Sequence, residues 1–270
     1  MAYIQKIITA NNIVNGSAVT HKTRKGDIQS VNPEITRNSL DFNTDVDSRF
    51  DNPRMFTGDS NGLISVNTYT IAAGADDGKA SDLQTSSSTN STYDTSFSNS
   101  IALPFLGVQY DSDEVEYDYT AGYFRFNNIV AAQGATVQSA YLKLNKRGGT
   151  FTSGVDNDFY VAAYDEDNQA APTIASHLNH TNYTTAEVTW NSATDTGNGT
   201  LRSAANGTVL SSPDIKTVIQ EILDRSGWSS GNSIVLAFYA KAKVTYKTTH
   251  VRFENYDDSG DVPPQLEITI

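Results

Sequence analysis

Four histidines, His21, His177, His180 and His250, and 31 acidic residues are the groups in this 270-residue chain able to move protons or hold metals. There is no cysteine, which removes disulfides, thiolate zinc sites and thiol nucleophiles together. His177-Leu-Asn-His180 has i, i+3 spacing, but Asn, Thr and Tyr surround it without a helical pattern, so a structural role outweighs a zinc pair. No local signature points to a Ser-His-Asp triad. Carboxylates are too abundant to single out an acid–base couple, because a glycosidase needs two at a set separation across a cleft. The chain is expected to have no catalytic residues, no enzymatic activity and no organic cofactor.

Calcium is the better metal expectation, because hard oxygen ligands suit it. Gly74-Ala-Asp-Asp-Gly78 offers Asp76 and Asp77, and a second turn offers Asp165 and Asp167 beside Asn168. Neither has the Asp-x-Asp-x-Asp-Gly spacing, and ordinary solvated turn carboxylates are the alternative. Tyr110, Tyr117, Tyr119 and Tyr123 cluster in sequence. Their rings could stack on sugars or on a partner surface; cross-strand pairing is the plainer reading.

The elements that must position these groups divide unevenly. Residues 1–57 carry seven Lys/Arg and six Asp/Glu, whereas the remainder carries 12 basic against 25 acidic residues. An acidic body repels phosphate backbones, so no nucleic-acid partner is expected. No stretch approaches the ~20 apolar residues of a membrane span, and the first residues lack a signal-peptide core. Residues 1–67 mix Asn, Asp, Ser, Thr and Arg with isolated apolar residues at no sustained period, which reads as an extended anchoring arm. Lys22, Arg24, Lys25, Phe42, Phe50 and Phe56 are its candidate anchoring residues.

Residues 68–270 read as one β domain. Short strands are expected around 65–71, 119–129, 136–144, 158–164, 187–190, 233–239, 250–254 and 265–270, separated by turn signals. Ala140, Leu142 and Leu144 should face inward, and Phe124 and Phe126 should share a face. One helix is expected over 213–226. Ser212, Pro213 and Asp214 supply start signals, Ile215, Val218, Ile219 and Ile222 form an apolar stripe, and Gly227 stops it.

Several of these segments resemble a known family. Phe124-Arg-Phe-Asn-Asn-Ile-Val-Ala-Ala-Gln-Gly-Ala-Thr-Val-Gln-Ser-Ala-Tyr-Leu-Lys-Leu144, Tyr164-Asp-Glu-Asp-Asn168 followed by Ala170-Ala-Pro172, Val188-Thr-Trp190, the 212–222 helix segment, Gly227–Leu236 and Pro264–Ile268 are similar, in order and spacing, to jelly-roll display domains. Such domains occur in bacterial secreted proteins and phage virion proteins, and are similar to carbohydrate-binding jelly rolls. An acidic insertion, Asp111–Asp118, departs from the pattern. The resemblance implies an antiparallel jelly-roll β-sandwich with one capping α-helix, preceded by the arm.

Together these readings make a non-catalytic structural phage virion protein the leading expectation: a capsid decoration or cement protein, made in the host cytoplasm without a signal peptide. Its partners would be the major capsid protein or another virion protein, and further copies of itself. A tail fibre or receptor-binding carbohydrate-binding module, with a host glycan as partner, is the alternative.

Overall fold

The computed structural model describes residues 65–85, 90–100, 105–153, 157–242, 246–257 and 262–270, with the backbone of strands at 19–22 and 28–31. The chain divides into two units, Met1–Leu63 and Ile64–Ile270. In the first, β1 (Val19–Lys22) pairs antiparallel with β2 (Ile28–Val31), a pairing the arm reading did not anticipate. The anchoring residues Arg24, Lys25, Phe42, Phe50 and Phe56, and the side chain of Lys22, lie outside the described residues.

The second unit is all-β. Its strands are β3 (Val66–Thr70), β4 (Asp77–Gln84), β5 (Ser96–Ser98), β6 (Phe105–Asp111), β7 (Glu116–Phe126), β8 (Ser139–Phe151), β9 (Asp158–Tyr164), β10 (Tyr183–Asn191), β11 (Val209–Ser211), β12 (Ile234–Ala240), β13 (Thr249–Phe253) and β14 (Gln265–Thr269), with one α-helix, α1 (Lys216–Leu223). They form one 12-stranded antiparallel sheet curled into a half-barrel, whose main path runs β10-β9-β12-β7-β6-β13-β8-β14-β3. Two long strands make the curl. One edge of β7 pairs with β6 over 116–120 and with β12 over 122–126, while its other edge carries β4. β8 gives its first half to β14 and β11 and its second half to β13.

The expected alternation in β8 is present. Ala140, Leu142 and Leu144 are buried while Ser139, Tyr141 and Lys143 are partly exposed. Phe124 and Phe126 are both buried. β7 departs from alternation: every residue from Tyr119 to Phe124 is buried, so both faces of the sheet are covered there. One core centres on Phe238, which stacks on Phe159 and meets Trp190 and Phe253 edge-on. A second aromatic cluster gathers Tyr93, Tyr164, Tyr183, Tyr239 and His180. The acidic insertion is the hairpin between β6 and β7, where the Asp111 carboxylate accepts from the backbone N–H of Asp113 at 2.9 Å.

The helix is shorter than 213–226, and its start signals act elsewhere. Ser212 Oγ accepts from the Leu142 N–H at 3.0 Å, and Asp214 accepts from the N–H groups of Ala140 and Lys216, each at 3.0 Å. These side chains therefore satisfy donors on β8 as well as opening the helix. Ile215, Val218, Ile219 and Ile222 are buried, as the stripe requires.

Candidate functional site

Each carboxylate of the calcium reading has a cationic or backbone partner. Asp76 is nearly sealed from solvent. Arg125 Nη1 donates to its Oδ1 at 2.8 Å and Asn127 Nδ2 to its Oδ2 at 3.0 Å. The same guanidinium donates to the Gln169 carbonyl at 2.9 Å and to Ser233 Oγ at 3.1 Å. Asp77 opens β4, and its Oδ2 accepts from the Tyr256 N–H at 2.8 Å. Asp165 and Asp167 both pair with Arg225, the latter at 2.7 Å to Nε. Among the described residues no group of three or more His, Asp and Glu gathers as a metal site would require. A calcium ion at either place would have to compete with a guanidinium already seated on the oxygens. The arrangement fastens loops. Asn168 Oδ1 accepts from the Ser233 N–H and Asn232 donates to the Asp167 carbonyl, so the 165–169 turn is tied to the start of β12.

The tyrosine quartet does not form a platform. Tyr117, Tyr119 and Tyr123 are 2%, 0% and 0% exposed, so none can offer a ring face to a ligand. Burial drives the Tyr119 phenol up to about 12 and the Tyr123 phenol upward as well. Their sequence clustering reflects a strand buried on both faces. Tyr110 alone reaches the surface, half-buried, its ring 5.1 Å from that of Tyr117 and 5.4 Å from that of the exposed Tyr246.

The two histidines of His177-Leu-Asn-His180 diverge. His177 Nδ1 accepts from the Thr173 N–H at 3.2 Å, while His180 packs 4.4 Å from the Tyr239 ring. Burial pulls the His180 imidazole down to about 4, with Lys241 adding to the effect. Gly227-Trp-Ser-Ser-Gly231 does have Gly-x-Ser-x-Gly spacing. It follows α1 and precedes β12, the reverse of the strand–turn–helix order that exposes a serine nucleophile, and its Trp228 is buried with Nε1 donating to the Ala131 carbonyl at 3.0 Å.

What the sequence did not single out is a groove of about 570 Å³ across β6, β13 and β8. It is lined by Gln109 and Tyr110 from β6, Arg147, Gly148, Gly149 and Thr150 from β8, and Thr248, His250 and Arg252 at β13. Register builds it: His250 stands opposite Thr150 and Arg252 opposite Gly148. The two glycines leave β8 without side chains beside the arginine. Gly149 has φ of 143°, and a Cβ there would lie 2.6 Å from the His250 carbonyl, so only glycine fits. His250 is 7% exposed and tilts against Phe105 at 5.2 Å; burial, then Arg252, pull it down to about 4, leaving it neutral at pH 7. Arg147 pairs with the buried Glu254. The sequence signal available was Arg252 flanked by Val251 and Phe253, an outward cation on a buried strand, joined to Arg147-Gly-Gly149.

No protein-family model matches the chain, and none of the curated proteins matches it in sequence.

Proposed function

We propose that this chain is a non-catalytic structural protein of a phage virion, a capsid decoration protein. Its residues 64–270 form a displayed jelly-roll module, and its N-terminal residues hold that module to the capsid. The observation that carries the reading is the coincidence of the resembling segments with consecutive parts of one β unit. Phe124–Leu144 spans the end of β7 and the start of β8, Tyr164–Pro172 runs from the end of β9 through the turn fastened by Arg225, Val188–Trp190 lies in β10, and 212–222, 227–236 and 264–268 fall on α1, β12 and β14. The polar side chains of that turn are spent on architecture, which suits a display scaffold.

Incorporation into particles tests this. Protein lacking residues 1–57 should retain its β circular dichroism and fail to co-sediment with virions assembled in its presence, whereas the full chain co-sediments. Co-sedimentation of the truncated protein would remove the anchoring role.

The groove favours a second reading, in which the same module is a carbohydrate-binding part of a tail fibre. Its volume falls in the range of small-ligand sites, and its lining is hydroxyl, amide and guanidinium rather than apolar.

A further inference from the structure

We propose that the groove across β6, β13 and β8 binds an acidic oligosaccharide, with Arg252 taking the acid group and Tyr110 packing against a sugar ring. The proposal rests on the carbohydrate-binding reading and names its ligand class.

Charge is the first argument. The chain has a formal net charge of −12, yet no Asp or Glu lines this groove and two arginines do. Arg147 is held by Glu254, so its charge is largely matched. Arg252 is exposed and has no hydrogen-bond or ion-pair partner among the described residues. Lys79 stands close enough to feel Arg252, its ammonium 4.5 Å from the Phe105 ring centre, and burial lowers its pKa. Asp118 acts on Lys79 and Glu254 pairs with Arg147, while Asp111 faces the Tyr110 end of the groove, so no carboxylate is paired with Arg252 among the described residues. A planar guanidinium left over in such a setting suits a carboxylate, sulfate or phosphate ester, which it can meet with two parallel hydrogen bonds.

The remaining lining suits a sugar. Gln109, Thr150 and Thr248 offer short polar groups along the trough, and Thr248 Oγ1 already accepts from the Tyr110 N–H at 3.1 Å, which leaves its own hydrogen free to donate. His250 lies beneath the trough, its Nδ1 sealed from solvent and without a hydrogen-bond partner among the described residues, so the side chain packs the floor and does not contact the ligand. Tyr110 and Tyr246 present an aromatic edge at one end. An apolar ligand would leave these groups unsatisfied. A nucleic acid shares the anion-plus-ring chemistry, but the acidic body repels its long run of phosphates, whereas a short acidic oligosaccharide confines a few charges to the groove beside the arginine.

The test is calorimetric titration of the full chain with three acidic probes: trigalacturonate, a sulfated heparin tetrasaccharide, and a maltotriose 6-phosphate. Trigalacturonate methyl ester and hexathymidylate serve as comparisons. At least one acidic probe should bind, and Arg252→Gln should weaken it about tenfold or more without changing the melting temperature. Where trigalacturonate binds, the methyl ester should lose a similar factor. Tyr110→Ala should weaken that binding as well. Silence from all three acidic probes at about 10 mM, undiminished binding by Arg252→Gln, or tighter binding of hexathymidylate overturns the proposal. None of these outcomes bears on particle incorporation, so the virion reading stands or falls separately.

Discussion

Asp76 and His180 show the two ways this fold handles a titratable side chain away from water. Asp76 has both carboxylate oxygens met by donors, from Arg125 and Asn127. His180 and His250 are instead held neutral: burial pulls both imidazoles from 6.5 to about 4. The folded-state pKa is depressed for both, so between pH 6.5 and 4 the unfolded chain binds protons that the folded chain refuses. Each histidine therefore removes stability as pH falls through that window. Asp82 and Asp118 act in the opposite sense, because burial raises their pKa values and the folded state takes up their protons first. The wild-type curve is a sum of both. Replacing both histidines by Phe should flatten the loss of melting temperature between pH 6.5 and 4.5, measured by circular dichroism. An unchanged slope would show that neither histidine is held neutral.

At the scale of elements, α1 is docked by more than its apolar stripe. The Glu221 carboxylate accepts from the N–H groups of Thr185 and Ala186 at 2.8 and 2.7 Å, where the β10–β9 register breaks between Tyr183 and Glu187. The interrupted ladder leaves two donors on β10, and the helix supplies their acceptor. Glu221→Ala should cost about 1–3 kcal/mol in urea unfolding, whereas Glu221→Gln, which keeps one acceptor, should cost less. Equal losses from the two would show that the bonds contribute little. This docking was not legible in the sequence, because a bulge is a relation between two strands. The stripe Ile215-Val218-Ile219-Ile222 was legible, since its period lies within one segment. Strands with apolar alternation, such as Ala140-Leu142-Leu144, were found for the same reason. β4, Asp-Gly-Lys-Ala-Ser-Asp-Leu-Gln, was read as a calcium turn at its start and otherwise missed. It has no apolar period, and it is a strand because β7 pairs with all eight of its residues. The groove was hidden likewise: Arg147 and Arg252 are far apart in sequence and meet only through the β13–β8 register.

At the scale of the molecule, the Ile64–Ile270 unit is closed by its own ends. Ser65 and Ile270 exchange two backbone hydrogen bonds, at 2.9 and 3.0 Å, and β3 runs antiparallel to β14 from Val66–Thr269 to Thr70–Gln265. A unit of this size buries roughly 70% of the surface its unfolded chain exposes, and the core clusters described above lie wholly within it. It should therefore fold alone, and where it is cut should matter sharply. Residues 64–270 should unfold cooperatively within about 2 °C of the full chain's transition. Starting at residue 68, the boundary read from the sequence, removes the Val66–Thr269 and Asn67–Ile268 rungs together with the Ser65–Ile270 pair. Starting at residue 72 strips β3 away, uncovers β14 as a bare edge and exposes a template for intermolecular pairing. The melting temperature should fall in steps from 64 to 68 to 72, and the shortest form should gain aggregates in light scattering. Identical transitions for all three would show that β3 is an ornament of the sheet, and that the independently folding unit begins after it.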